Sequence, residues 1–413
     1  MTWSASLAPL HEHNFRWYFY ARSVNLVGTT MGTVALAFAV LEVSHSPSAL
    51  GVVLAAHSIP MLVFLLAGGV IADRFGRTLV IQTSNVLAGL SQLTIAYLVI
   101  SGTAQLWHLI GLTAVNGVVA AISFPAMASI LPQLVPRSQL QPANVLMSMV
   151  RNSLTVIGPS LAALLVVGAG AGWAMAVDGL TYLVSAALLS RVKLPAPVRT
   201  GQPTSMVTEL REGWTYFTRT TWLWVVVAAF SLLCAIHQGG FFTLGPVLAK
   251  QSAIGETGWG LILSAEAVGL LVTTAVMLRL TLQRPLFWGM LGTALYGLPM
   301  IALGLDGHLV VVLVAAVLAG AGIEVFSLGW NLAMQENVPD EMLSRAFSYD
   351  ALGSFAAVPI GQIVAGPLAL MFGLERVIWV AGVALVIIPL VTLLSRSVRD
   401  LQRVESAPAA TPV

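Results

Sequence analysis

The sequence predicts an all-α membrane protein of twelve transmembrane helices arranged as two six-helix halves. Three observations carry this: the scarcity of charge, the spacing of apolar runs and the one-sided placement of arginine. Of 413 residues, 57% are hydrophobic and only 9% are charged, and mean hydropathy is +0.89. A soluble globular domain carries about 25% charged residues, so this chain cannot cover a wetted surface and must face lipid. A formal net charge of +2 leaves no electrostatic footprint for a nucleic-acid partner.

A helix needs about 20 largely apolar residues to cross the hydrocarbon core. Apolar runs divided by Gly, Pro or charge place spans near 16–42, 49–72, 78–100, 105–131, 140–167 and 172–192. A second set follows near 221–248, 257–281, 286–304, 308–334, 341–372 and 375–395. Polar residues interrupt the runs at 105–131 and 341–372. The opening segment "MTWSASLAPLHEHNFRW" lacks the basic start, short apolar core and cleavage site of a signal peptide, so span one is expected in the mature protein.

Arginine tests the count. With both termini cytoplasmic, fifteen of the nineteen Lys and Arg residues fall on the inner side. Only Lys250 and Arg376 fall outside, and Arg22 and Arg151 lie within spans. This is a strong positive-inside bias, and losing one span from the first half would scatter it. The domains read as a first half, 1–192, a cytoplasmic linker, 193–220, a second half, 221–395, and a short tail, 396–413. Within the linker "KLPAPVRTGQPTSMVTELREGWTYFTRTTW", the part from Ser205 to Arg219 reads as an interfacial helix with Trp214 and Phe217 toward lipid.

The halves resemble each other. "ILPQLVPRSQLQPANVL" and "AMQENVPDEMLSRAFSYDAL" both end one span and begin the next. An offset of 203 places Pro136 on Pro339, Ala143 on Ala346, Gly158 on Gly361 and Gly117 on Gly320. Parallel six-span halves are the plan of the major facilitator fold, with substrate held between them near the midplane. The single cysteine, Cys234, excludes an internal disulfide.

Between spans two and three stands Gly69-x-x-x-Asp73-Arg74-x-Gly76-Arg77, three charges within five positions of a nearly uncharged region. Gly69 lets the end of span two approach another helix, and Gly76 permits a tight turn. Arg74 and Arg77 hold the loop inside. Asp73 is placed to accept hydrogen bonds from the N-terminus of span eleven, near Pro339. Such a contact exists in one conformation only, which makes the loop a latch for the outward-facing state. The stretch resembles the signature loop of major facilitator transporters.

A second resemblance is narrower. "FPAMASILPQLVPRSQLQPANVLMSMVRNSLTVIGPSLAALL", "FSLGWNLAMQENVPDEMLSRAFSYDALGSFAAVPIGQIVAGPLA", "ARSVNLVG" and "VDGLTYLVSAALL" resemble the bacterial secretion-effector branch, which includes enterobactin exporters and macrolide efflux pumps. That resemblance implies proton-driven export of an amphipathic small molecule. Two departures stand out. The span-five glycine pattern of antiporters keeps Gly158 and Pro159, a helix kink, but has Leu154 and Ala162 at its flanks. Thr113 occupies the expected place of a span-four arginine.

A charge inside the membrane costs at least about 2.5 kcal/mol and is a functional hypothesis by default. Helices one, four, seven and ten line the cavity in the fold that the sequence resembles, so Arg22 and Glu324 come first, then Arg151, Glu266 and Asp350. Asp178, on a peripheral span, reads as structural. Glu324 and Asp350 lie at similar depth, about 13–15 Å from the inner interface, and are expected to act as a carboxylate pair that carries the proton, with Glu266 the next candidate for that role. Arg22 and Arg151 are their expected charge partners across the halves. Gln238, Phe241, Trp330 and Asn331 are expected to contact substrate, with Gln335, Phe242 and Tyr349 as further candidates. His57 and His237 read as structural histidines.

No metal-binding histidine spacing, nucleophile motif or phosphate-binding glycine loop occurs, so neither enzyme activity nor a metal or cofactor is expected. The expected function is a proton-coupled antiporter for efflux of a drug, natural product or siderophore-like compound, in the bacterial inner membrane. A proton-linked importer and a non-transporting receptor are the alternatives. Expected partners are the small-molecule substrate, protons and the bilayer, with a monomer as the working unit.

Overall fold

A computed structural model of the chain describes residues 6–44, 47–194 and 206–403, all helices and connecting turns. The first six long helices are α1 (His13–Ser44), α2 (Pro47–Phe75), α3 (Arg77–Ile100), α4 (Leu106–Ser129), α5 (Leu140–Ala169) and α6 (Ala171–Leu189). An amphipathic linker helix, Met206–Arg219, follows. The second six are α7 (Thr221–Ala249), α8 (Gly255–Met277), α9 (Pro285–Gly304), α10 (Leu309–Asn337), α11 (Asp340–Phe372) and α12 (Leu374–Thr392). Eleven of the twelve are long and apolar enough to cross a membrane on length and composition. The thirty-residue α5, between α4 and α6, is the twelfth. Each coincides with an apolar run of the sequence, including the two interrupted by polar residues.

Lipid offers apolar helices no hydrophobic reason to associate, so close packing of small residues does much of that work. Within the first six helices, α2 packs on α4, α3 on α6, and α1 on α5 and α6. Within the second six, α8 packs on α10, α9 on α10 and α12, and α7 on α11. Gly117 of α4 lies against the His57 carbonyl of α2, and its counterpart Gly320 of α10 against the Glu266 carbonyl of α8. Likewise Gly158 of α5 meets Thr30 of α1, and Gly361 of α11 meets the Ala235 carbonyl of α7. The matched glycines therefore make matched contacts. A further pair at the same offset, Gly170 and Gly373, forms the one-residue turns α5–α6 and α11–α12 with φ of +95° and +88°, where a Cβ would be strained.

Contact between the two sets runs through α2 with α11, α4 with α11, and α5 with α8 and α10. Every described hydrogen bond and ion pair across that seam lies between the end bearing the termini and the level of Arg151. The bundle is closed at the terminal end.

The linker helix corrects one expectation. Phe217 is buried rather than lipid-facing, because the helix docks this face on α11. Trp214 and Phe217 each lie 5.6 Å from the Tyr349 ring. Residues 195–205 of the linker, 404–413 of the tail and the Pro159 side chain lie outside the described residues. The backbone around Gly158 is helical.

Candidate functional site

At the closed end, the last turn of α2 meets the first two turns of α11. Gly69 makes the approach possible, since a Cβ there would stand 3.1 Å from the Arg345 Cα and collide with the Ser348 hydroxyl. Gly76, at φ +86°, turns the chain so that Arg77 points back into the seam. Asp73 Oδ2 accepts from Arg345 Nε at 3.1 Å, and Oδ1 lies 3.7 Å from Arg77. Arg77 donates to Ser344 Oγ at 3.2 Å, the Ser129 carbonyl at 2.8 Å and Asp340 Oδ1 at 2.9 Å. It also reaches the Asp340 carbonyl. The Ser129 and Ser344 hydroxyls stand 2.7 Å apart, and Gln133 donates to Asp340 at 3.1 Å.

The sequence placed Asp73 against the backbone N-terminus of α11. The carboxylate does face α11, but its partner is the Arg345 side chain. A guanidinium brings a full charge where backbone N–H groups bring partial ones, which makes a stronger bond. Arg345 had registered only as one more inner cation; its place in the second turn of α11 was the signal available.

The linker helix straps this contact. Arg74 donates to Glu209 at 3.2 and 2.9 Å through Oε1 and 3.1 Å through Oε2. Arg345 Nη1 donates to the Glu209 carbonyl at 3.0 Å, and the Tyr349 hydroxyl to the Leu210 carbonyl at 2.7 Å. One short helix thus holds α2 and α11 together.

Deeper in the seam, Glu324 of α10 is fully buried. Its Oε2 accepts from Asn152 of α5 at 3.1 Å and faces Arg151 at 3.9 Å. Asn152 also donates to Thr274 of α8 at 3.0 Å. Arg151 remains 45% exposed and donates to Ser148 at 3.1 Å. This carboxylate therefore bridges three helices from both sets. Below it, Asn144 donates to Gln335 at 2.7 Å.

Over residues 4–411 the chain matches the family described as transmembrane secretion effector. The chain belongs to this family. The transporter is 24% identical over 402 residues to YfiS, an MFS-type transporter of Bacillus subtilis, covering 93% of each chain. It is 24% identical to the multidrug efflux pump Tap of Mycolicibacterium fortuitum, covering 91% of this chain and 94% of Tap. It is 26% identical to the enterobactin exporter EntS of Salmonella paratyphi A, covering 95% of each. A bacterial homologue of the iron transporter ferroportin, in an outward-facing state, superposes with a TM-score of 0.76 at 17% identity, over 92% of this chain and 98% of that one. The fold is that of the major facilitator transporters, and the protein is a transporter rather than an enzyme.

Several residues singled out in the sequence land elsewhere in the transporter. Glu324 and Asp350 do not share partners: Asp350 accepts from the Trp330 indole at 2.9 Å. Trp330 stands six residues beyond Glu324 on α10, about 9 Å along the axis, and Glu324 turns to α5, so the two carboxylates form no pair. Trp330 is itself buried, edge-on to Trp222, and Phe241 is buried between His237 and Trp259. Neither is exposed to a ligand in this conformation. Phe241 turns inward because Gln238–Thr243 form a π-helical turn, which shifts side-chain register by one residue. Gln238 begins that turn, its carbonyl accepting from Thr243 at 2.9 Å. Asn331 donates to the Ser327 carbonyl at 2.7 Å. Arg22 donates to Asn25 at 2.8 Å, and Glu266 is partly buried on α8. Asp178 accepts from Gln92 of α3 at 2.8 Å, and His237 stacks on Tyr296 at 3.9 Å.

Proposed function

We propose that the protein is a proton-driven exporter of the bacterial cytoplasmic membrane, moving an amphipathic drug, natural product or siderophore-like compound by alternating access. The efflux relatives support the direction. The excess of arginine at the terminal end supports a cytoplasmic position for both termini, which makes the closed end the cytoplasmic gate and this conformation outward-facing.

The observation that carries the drive is Glu324, fully buried and held across the seam by Asn152 and Arg151. A proton entering from outside neutralises this carboxylate. Arg151 then loses its counter-charge, and the bond between α5 and α10 weakens. The Asp73–Arg345 gate opens, and the proton leaves toward the more alkaline cytoplasm. Substrate taken up inside is carried out as the carboxylate, again ionised, draws Arg151 and Asn152 back. A membrane-buried acid of one half held by partners in the other suits such coupling.

Deleting the gene and screening the host for new toxin sensitivity, with metabolite profiling of the medium, identifies the cargo. In vesicles loaded with that compound, Glu324→Gln should abolish uphill, proton-driven export while sparing downhill exchange. Uphill pumping by Glu324→Gln together with its loss in Asp350→Asn moves the role to Asp350.

A further inference from the structure

The linker helix has a second face. Glu209, Gly213 and Phe217 point to the gate and are buried. On the opposite side, Arg211, Thr215 and Arg219 recur every four residues, a single stripe on a helix surface. They line a surface cleft of about 500 Å³ that reaches Met342 at the start of α11. Glu212, the acid in the cleft, lies 3.6 Å from Arg345. Among the described residues no carboxylate forms an ion pair with Arg211 or Arg219. Beside the stripe, Val207 and Trp214 are 73% and 53% exposed. Trp214 also touches Tyr349, two turns farther into α11 than Met342.

One flank of this helix thus exposes apolar side chains, while the next carries two guanidinium groups with no ion-pair partner among the described residues. That is the profile of a helix at headgroup depth, where basic residues meet anionic lipid. A soluble anion would gain nothing from the apolar flank. We infer that the Arg211–Arg219 stripe docks an anionic phospholipid of the leaflet beside the termini, and that the bound lipid steadies the linker helix over the Asp73–Arg345 gate. Lipid composition then tunes how long the gate stays shut, through Glu209 on Arg74 and the linker carbonyls on Arg345 and Tyr349. The inference rests on the linker helix lying at the membrane surface and is independent of proton coupling.

Native mass spectrometry of the full-length transporter tests it, using vesicles of three parts phosphatidylcholine to one part phosphatidylglycerol. The wild type should retain phosphatidylglycerol preferentially, and less so as salt is raised. Each arginine contributes about fivefold, so the Arg211→Gln/Arg219→Gln double variant should lower the retention ratio about thirtyfold. Arg211→Lys/Arg219→Lys should keep most of it. An unchanged ratio in the glutamine variant overturns the site, as does salt-independent retention by the wild type. Displacement of the lipid by millimolar inorganic phosphate would make it a site for soluble anions instead. Should the glutamine variant not fold, the lysine variant and the salt series decide.

Discussion

Asp73 of α2 and Arg345 of α11 form an ion pair at 3.1 Å across the seam, each side chain more than nine-tenths buried. The pair exists only while the terminal end is closed, so its free energy belongs to one conformation. Asp73→Asn keeps an acceptor but removes the charge, a loss of about 1.5–3 kcal/mol for a hydrogen bond to a charged group. The closed-to-open ratio should fall roughly ten- to a hundredfold, with slower turnover and normal membrane insertion. Spin labels on the terminal ends of α2 and α11, read as a distance distribution in vesicles, check this. An unaltered distribution removes the latch role.

Gly69 tests the same closure by shape alone. Gly69→Val places branched carbons where the Ser348 hydroxyl and the Arg345 backbone now lie, so α2 and α11 cannot close. The clash arises only where these helices meet, and folding in the opposite state should be spared. The spin-label distances should shift to the open population. Gly69→Ala should shift them less, and Ser348→Ala should recover part of that smaller loss.

For the strap, a double-mutant cycle on Arg74→Ala and Glu209→Ala should give a favourable coupling in the closed-to-open equilibrium. The pair is bidentate but partly solvated, so solvent screening keeps that coupling small. Additive single effects would mean that the linker helix rides on the gate without holding it.

Asp178 should be dispensable for transport despite its burial. Asp178→Asn retains an oxygen to accept from Gln92, and the carboxylate lies against Gly28 and Gly32 with no room beside it. The asparagine variant should transport normally with little change in melting temperature. Asp178→Leu should destabilise the α1–α6 contact. Loss of coupling in Asp178→Asn would instead give α6 a proton role.

Helix number and position were legible because lipid imposes a length and a composition on every span. The contact of the Asp73–Arg77 loop with α11 was legible because charge is so rare here that three charges together must have a reason. What could not be read was partner choice. Counting from the span ends put Glu324 and Asp350 at one depth, yet Asp350 meets Trp330, six residues beyond Glu324 on α10, and nothing in a sequence fixes helix register and rotation against neighbours. Asn152 and Glu209 were overlooked for a related reason. An asparagine beside an arginine, and a glutamate in a polar linker, look ordinary until the facing helix is known. Phe241 was misjudged because a π-helical turn resets side-chain register without an unambiguous sequence mark.

The single-residue turns at Gly170 and Gly373 bear on how the chain is made. Two long apolar helices joined by one residue have no slack for the first to settle in the bilayer while the second is still being synthesised. Each pair, α5–α6 and α11–α12, must leave the insertion machinery as a hairpin. A mutation that weakens the second helix of either pair therefore strands its predecessor as well, and its damage should appear at biogenesis, before any cargo is met.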